Sequence, residues 1–172
     1  ARRAGAAQDR RRPMTLGEPG KALPNKEFAE LMAAVLEKGT PFRFQAAGTS
    51  MSPFIRCEDI ITLAAVQGGI YAGDILAFRQ PENGRLAVHR VIAVRHDSFL
   101  LRGDNAGSPD GWVPSDRIIG RVRRIEHRGR PVRIGLGWER LPIAWLSRLG
   151  LLRPLSITAR QLLRPLSRRF FA

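Results

Sequence analysis

The chain has 172 residues, 44% of them apolar, and 29 Lys and Arg against 15 Asp and Glu, for a net charge of +14. This length suits one domain with extensions, or two small ones, and the apolar content can build a sizeable core. Cys57 stands alone and excludes an intrachain disulfide, while His89, His96 and His127 are scattered singly without zinc-like spacing, so neither a metal nor a cofactor is expected.

Residues 1–24 read as a disordered basic segment. Five arginines and one aspartate occupy 1–13, Met14 is the first possible initiator, and no apolar stretch follows the basic start, so no secretory signal peptide is expected. From Asn25 the pattern becomes helical over 25–38. Asn25 suits an N-cap, Phe28, Leu31, Met32, Val35 and Leu36 share one face, and Gly39 suits the stop. One helix is too little for a helix-turn-helix domain.

After Gly39, β-branched and aromatic residues predict strands over 42–46, 59–66, 74–78, 86–94, 98–101, 118–125 and 132–134. The turns Pro81-Glu82-Asn83-Gly84 and Arg128-Gly129-Arg130-Pro131 divide them, and Pro114-Ser115-Asp116 reads as a turn into a strand. Seven short strands imply a mostly β fold, a coiled antiparallel sheet or partial barrel with one N-terminal helix and a C-terminal helical basic tail. His96 and His127, set among charged residues, read as solvated surface groups.

Residues 138–172 form that tail. Trp138, Leu141, Trp145, Leu149 and Leu152 recur at helical spacing, and Leu151-Leu152-Arg153-Pro154-Leu155-Ser156 returns as Leu162-Leu163-Arg164-Pro165-Leu166-Ser167. The prolines predict short helices broken near Pro154 and Pro165. Charge is concentrated at the ends, +4 in 1–13 and +6 in 138–172, leaving +4 over 14–137. On charge alone the ends suit nucleic acid or an anionic membrane. Trp, Leu and Arg on short amphipathic segments favour the membrane surface, and the alternative is that the stripe packs on the rest of the chain. The longest charge-free run, 60–73, has 14 residues, short of the ~20 that span a bilayer, so a cytoplasmic or peripheral-membrane location is expected.

Three blocks carry the chemistry: Gly48-Thr49-Ser50-Met51-Ser52-Pro53; Gly73-Asp74-Ile75-Leu76-Ala77-Phe78 running on to Val88-His89-Arg90-Val91-Ile92; and Arg102-Gly103-Asp104-Asn105 with Asp110 beyond. Together they resemble the serine protease core of type I signal peptidases, in the wider superfamily that includes the LexA-like peptidases. The resemblance covers about 40–134. Histidine in place of the usual lysine base is similar to the endoplasmic-reticulum, archaeal and SipW-like branch. A serine hydroxyl needs such a base, and Arg90, always protonated, cannot serve as one.

The resemblance implies Ser50 as nucleophile, His89 as base and Asp110 as the carboxylate that orients it. It makes Asp104 a second, supporting acid, although Gly-Asp-Asn is also ordinary turn chemistry. The Ser50 N–H is the natural oxyanion donor, with Gly48 allowing the sharp turn before it. Thr49, Met51 and Pro53 are expected to support the turn and the cleft. Some relatives place a further serine hydroxyl where Gly48 stands, and that contribution is absent here. The signal peptidases of this resemblance carry a transmembrane anchor, and no such span is expected within these 172 residues.

The expectation is therefore a bacterial serine endopeptidase over 25–137, cleaving an extended polypeptide after small residues, as in signal-peptide processing, without a cofactor. Two alternatives stand beside it. One is a LexA- or UmuD-like self-cleaving protein, with Ala4-Gly5 a conceivable site, although that group uses a lysine base. The other is a catalytically silent scaffold that binds peptide or membrane.

Overall fold

The computed structural model describes residues 25–152. The readings of 1–24, and of the breaks near Pro154 and Pro165, lie outside the described residues. Helix α1 (Asn25–Glu37) turns Phe28, Met32 and Leu36 inward. Gly39, with φ of 73°, closes it by donating to the Leu36 carbonyl. Phe28 meets Phe42 and Phe44 edge-to-face at 5.6 and 6.1 Å, which fastens the helix to the first strand. Burying each such ring is worth roughly 1.5–3 kcal/mol.

Eight strands follow: β1 (Phe42–Gln45), β2 (Ile60–Ala64), β3 (Ile75–Arg79), β4 (Leu86–Arg95), β5 (Ser98–Arg102), β6 (Trp112–Pro114), β7 (Ile118–His127) and β8 (Arg130–Val132). They form one antiparallel sheet in the order β1-β2-β7-β3-β4-β5-β6, with β8 paired to β7. The sheet does not close on itself. β6 escaped the sequence reading because three residues that end in proline carry little strand signal. The last strand begins at Arg130 rather than at 132, because Arg128 and Gly129 take φ of 49° and 76° and make a tight two-residue hairpin.

β3 is buried on both faces, so its apolar run is continuous rather than alternating. Ile75 and Ala77 join the α1-side cluster with Phe44, Met51, Ile55 and Ile61, while Leu76 and Phe78 join Val91, Phe99, Leu101 and Val113. β4 changes partner along its length. It pairs with β3 from Leu86 to Arg90 and with β5 from Arg90 to Arg95, and His89 and Arg90 sit at the handover.

His127 is partly exposed, as a surface group would be, but it is not without a partner. Its Nδ1 lies 2.6 Å from the buried carboxylate of Asp59, whose other oxygen accepts the Arg56 N–H at 2.8 Å. Burial of Asp59 demands a partner, and β7 brings the imidazole to it. His96 is exposed in a hairpin turn, as expected.

Helix α2 (Arg140–Arg148) packs across β4 through Ile143, Ala144 and Ser147. Arg140 reaches Asp74 at 2.8 Å, and a Cβ on Gly73 would stand 2.8 Å from the Arg140 backbone oxygen, so the glycine permits the close approach. In the preceding loop, Glu139 accepts the N–H groups of Gly135 and Gly137 at 2.8 and 3.0 Å. Its own backbone N–H, then those of Gly137 and Gly135, hold its carboxyl below the ordinary 4.5. The expected apolar stripe divides. Trp138, Leu141, Trp145 and Leu149 face solvent, whereas Leu152 is buried, so the stripe is not the face that packs on the sheet. No helix among the described residues is long and apolar enough to cross a membrane.

Candidate active site

The site forms where the loop after β1 meets the handover point of β4. Gly48 takes φ of 86°, which an L side chain rarely adopts, and the chain then coils tightly, with the N–H groups of Ser52 and Ile55 bonded to the carbonyls of Thr49 and Met51. Met51 and Ile55 are buried in the α1-side core and anchor this coil, while Ser50 remains exposed at its tip and Pro53 lies at the surface. From the other side, the Asn105 N–H donates to the Ser50 carbonyl at 2.7 Å and its side-chain amide reaches the Thr49 carbonyl at 3.3 Å.

His89, on β4, lies opposite Leu76, and its ring is 5.9 Å from that of Phe78 with the planes tilted by 54°. Its Nε2 is 3.0 Å from Ser50 Oγ and its Nδ1 is 2.6 Å from Asp110 Oδ2. A carboxylate only accepts, so Nδ1 carries the proton, leaving Nε2 as acceptor and the Ser50 hydroxyl as donor. Asp110 is delivered by the loop after β5, which closes when the Asp110 N–H returns to the Leu101 carbonyl at 2.9 Å. The histidine and aspartate side chains are nine-tenths buried, so little water competes for their contact.

The two acids are separated completely. Asp104 makes no bond to His89 and instead grips Arg90, with Nε at 2.9 Å from Oδ1 and Nη2 at 2.8 Å from Oδ2, both side chains 0% exposed. Arg90 Nη1 donates on to the Gly73 and Gly135 carbonyls at 3.0 and 2.9 Å, and its guanidinium lies 5.4 Å from the Phe54 ring. Arg90 thus joins the Ser50 coil, the turn before β3, the Asp104 loop and the segment leading to α2. Asp104 is more than a turn residue, because it neutralises that buried cation.

Three contributors were not singled out in sequence. Gln80 Nε2 donates to the second Asp110 oxygen at 3.3 Å, and since that neighbour is a carboxylate the amide must present its nitrogen. Gly103 passes so close that a Cβ would stand 2.7 Å from the Ser50 carbonyl and 3.0 Å from His89 Nε2. Asn105 clamps the Ser50 coil through its N–H and side-chain amide. Gly103 and Asn105 lay within a recognised block, but Gln80 had no signal, because only the β3–β4 hairpin carries it to Asp110.

Next to Ser50 and His89 opens a cleft of about 510 Å³. It is lined by Ala46, Ala47 and Gly48 from the loop after β1, by Ala87 and Val88 of β4, by the buried Phe44, Met51 and Ile61, and by the polar Gln80 and Arg85. Over 87–89 β4 pairs only with β3, because its pairing with β5 begins at Arg90. Among the described residues nothing accepts the Ser50 N–H, which leaves it available to an oxyanion. Among the described residues no three or more His, Cys, Asp or Glu side chains come together as a metal site would need. No protein-family model matches the chain, and no curated protein matches it.

Proposed function

We propose that the protein is a serine endopeptidase of the signal-peptidase kind, with the histidine base of that superfamily, acting on an extended polypeptide. The observation that carries this reading is the chain Ser50 Oγ, His89 Nε2, Asp110 at 3.0 and 2.6 Å, set at the mouth of an apolar cleft. In the reaction His89 takes the Ser50 proton as Oγ adds to the scissile carbonyl carbon. The Ser50 N–H meets the developing oxyanion, and Asp110 stabilises the imidazolium without taking its proton. The imidazolium then protonates the leaving amine as the C–N bond breaks, and a water activated by His89 releases the acyl group from Ser50.

The walls of alanine and valine leave room for a small side chain beside the scissile bond, and the open side of β4 over 87–89 can pair with substrate backbone. A serine-directed fluorophosphonate and a library of extended peptides test the reading. The parent should label and cleave after small residues, while Ser50→Ala should not label. Ser50→Ala, His89→Ala and the double variant should each lose roughly 10³-fold or more to a similar floor, because the residues act as one unit. Unlabelled parent protein, or a double variant far slower than both singles, would remove the proposal.

A further inference from the structure

Helix α2 has two faces. The inner one holds Ile143, Ala144 and Ser147 against the sheet, and the outer one presents large apolar side chains to solvent. At 3.6 residues per turn, Leu141, Trp145, Arg148 and Leu149 share one side of the cylinder. The Leu141 N–H bonds to the Trp138 carbonyl and sets Trp138 one turn earlier. Trp138 is 85% exposed and Trp145 62% exposed. At ~250 Å² for a whole indole, these two rings alone offer roughly 350 Å², as much as the largest apolar patch of an ordinary monomer.

We propose that this face is a membrane-surface element that seats the protein on anionic bilayers, the indoles and leucines entering the interface while arginines meet the headgroups. Charge selects the partner. Glu139 is the only acidic residue from 133 to the end of the sequence, and it is engaged by the Gly135 and Gly137 N–H groups. Arg133 and Arg148 are exposed, and five further arginines follow in 153–172. An aromatic and aliphatic face flanked by cations is the composition an interfacial helix requires. A second copy fits less well, because a standard interface needs ~800 Å² from each partner, more than one helix face supplies, and like charge would repel it.

The test uses the full chain with Trp112→Phe, so that fluorescence reports Trp138 and Trp145. It should sediment with vesicles of phosphatidylcholine and phosphatidylglycerol, bind pure phosphatidylcholine about tenfold less tightly, and be quenched by brominated acyl chains. High salt should release only part of it, since apolar burial survives screening. Trp138→Glu with Trp145→Glu should weaken binding at least about tenfold without lowering the melting temperature, because both rings are exposed. The proposal is overturned by a full chain that ignores anionic vesicles, by complete release in salt without quenching, or by a double variant that binds as the parent does. A dimer dispersed by the same substitutions, or tighter binding to duplex DNA than to vesicles, would equally overturn it.

Discussion

Asp104→Asn removes the one carboxylate that hydrogen-bonds the Arg90 guanidinium among the described residues. Arg90 and Asp104 are both fully buried, and the guanidinium's other hydrogen-bond acceptors among the described residues are the neutral Gly73 and Gly135 carbonyls, while the Phe54 ring and the Glu139 carboxylate act on it without a hydrogen bond. Leaving a buried cation without its counter-ion costs ~3–5 kcal/mol, and the amide oxygen, still an acceptor, keeps the loss near the lower end. Against a total stability of ~5–15 kcal/mol that is a large fraction, and at ~2–4 °C per kcal/mol for a chain of this size it lowers the melting temperature by about 6–12 °C. Thermal unfolding followed by circular dichroism measures it. The double variant Arg90→Met with Asp104→Leu should recover much of the loss, since both charges leave together. A shift for Asp104→Asn below about 2 °C, against that expected scale, would refute the assignment of Asp104 as the neutralising partner. So would a double variant no more stable than the single one.

Asp110→Asn should show the opposite pattern, with activity reduced by roughly 10³–10⁴ and melting nearly unchanged, because the amide no longer selects the productive tautomer of His89. Gln80→Ala frees one Asp110 oxygen and should lower kcat more than it raises KM, while Gln80→Glu, which sets two carboxylates together, should be worse. Gly103→Ala places a methyl 2.7 Å from the Ser50 carbonyl and 3.0 Å from His89 Nε2, so serine labelling should slow even where the protein remains folded. Glu139 has a depressed carboxyl pKa, so its stabilisation is complete above the unfolded value near 4.5 and is lost as pH falls through the folded value. Glu139→Gln should therefore flatten the acid side of the melting-temperature profile, read by scanning fluorimetry across pH 3–6, a window set on that value.

The elements whose patterns are local were legible in the chain itself. Phe28, Met32 and Leu36 mark a helix face and the β-branched runs mark six of the eight strands closely, because turn chemistry and side-chain periodicity operate within a few residues, whereas Ser50, His89 and Asp110 were singled out only by the resemblance of three short blocks to the signal peptidases. The division between Asp104 and Asp110 was not legible. Both acids follow β5 within a few residues, and only the fold shows that one meets a buried guanidinium and the other an imidazole. Gln80 and the His127–Asp59 pair depend likewise on strands distant in sequence, whose register decides which polar groups become neighbours. The stripe on α2 was visible as a period, but periodicity specifies an angle around a helix axis and not what lies on that side. The tertiary structure decided it by seating Ile143, Ala144 and Ser147 against the sheet, which leaves Trp138 and Trp145 to the outside.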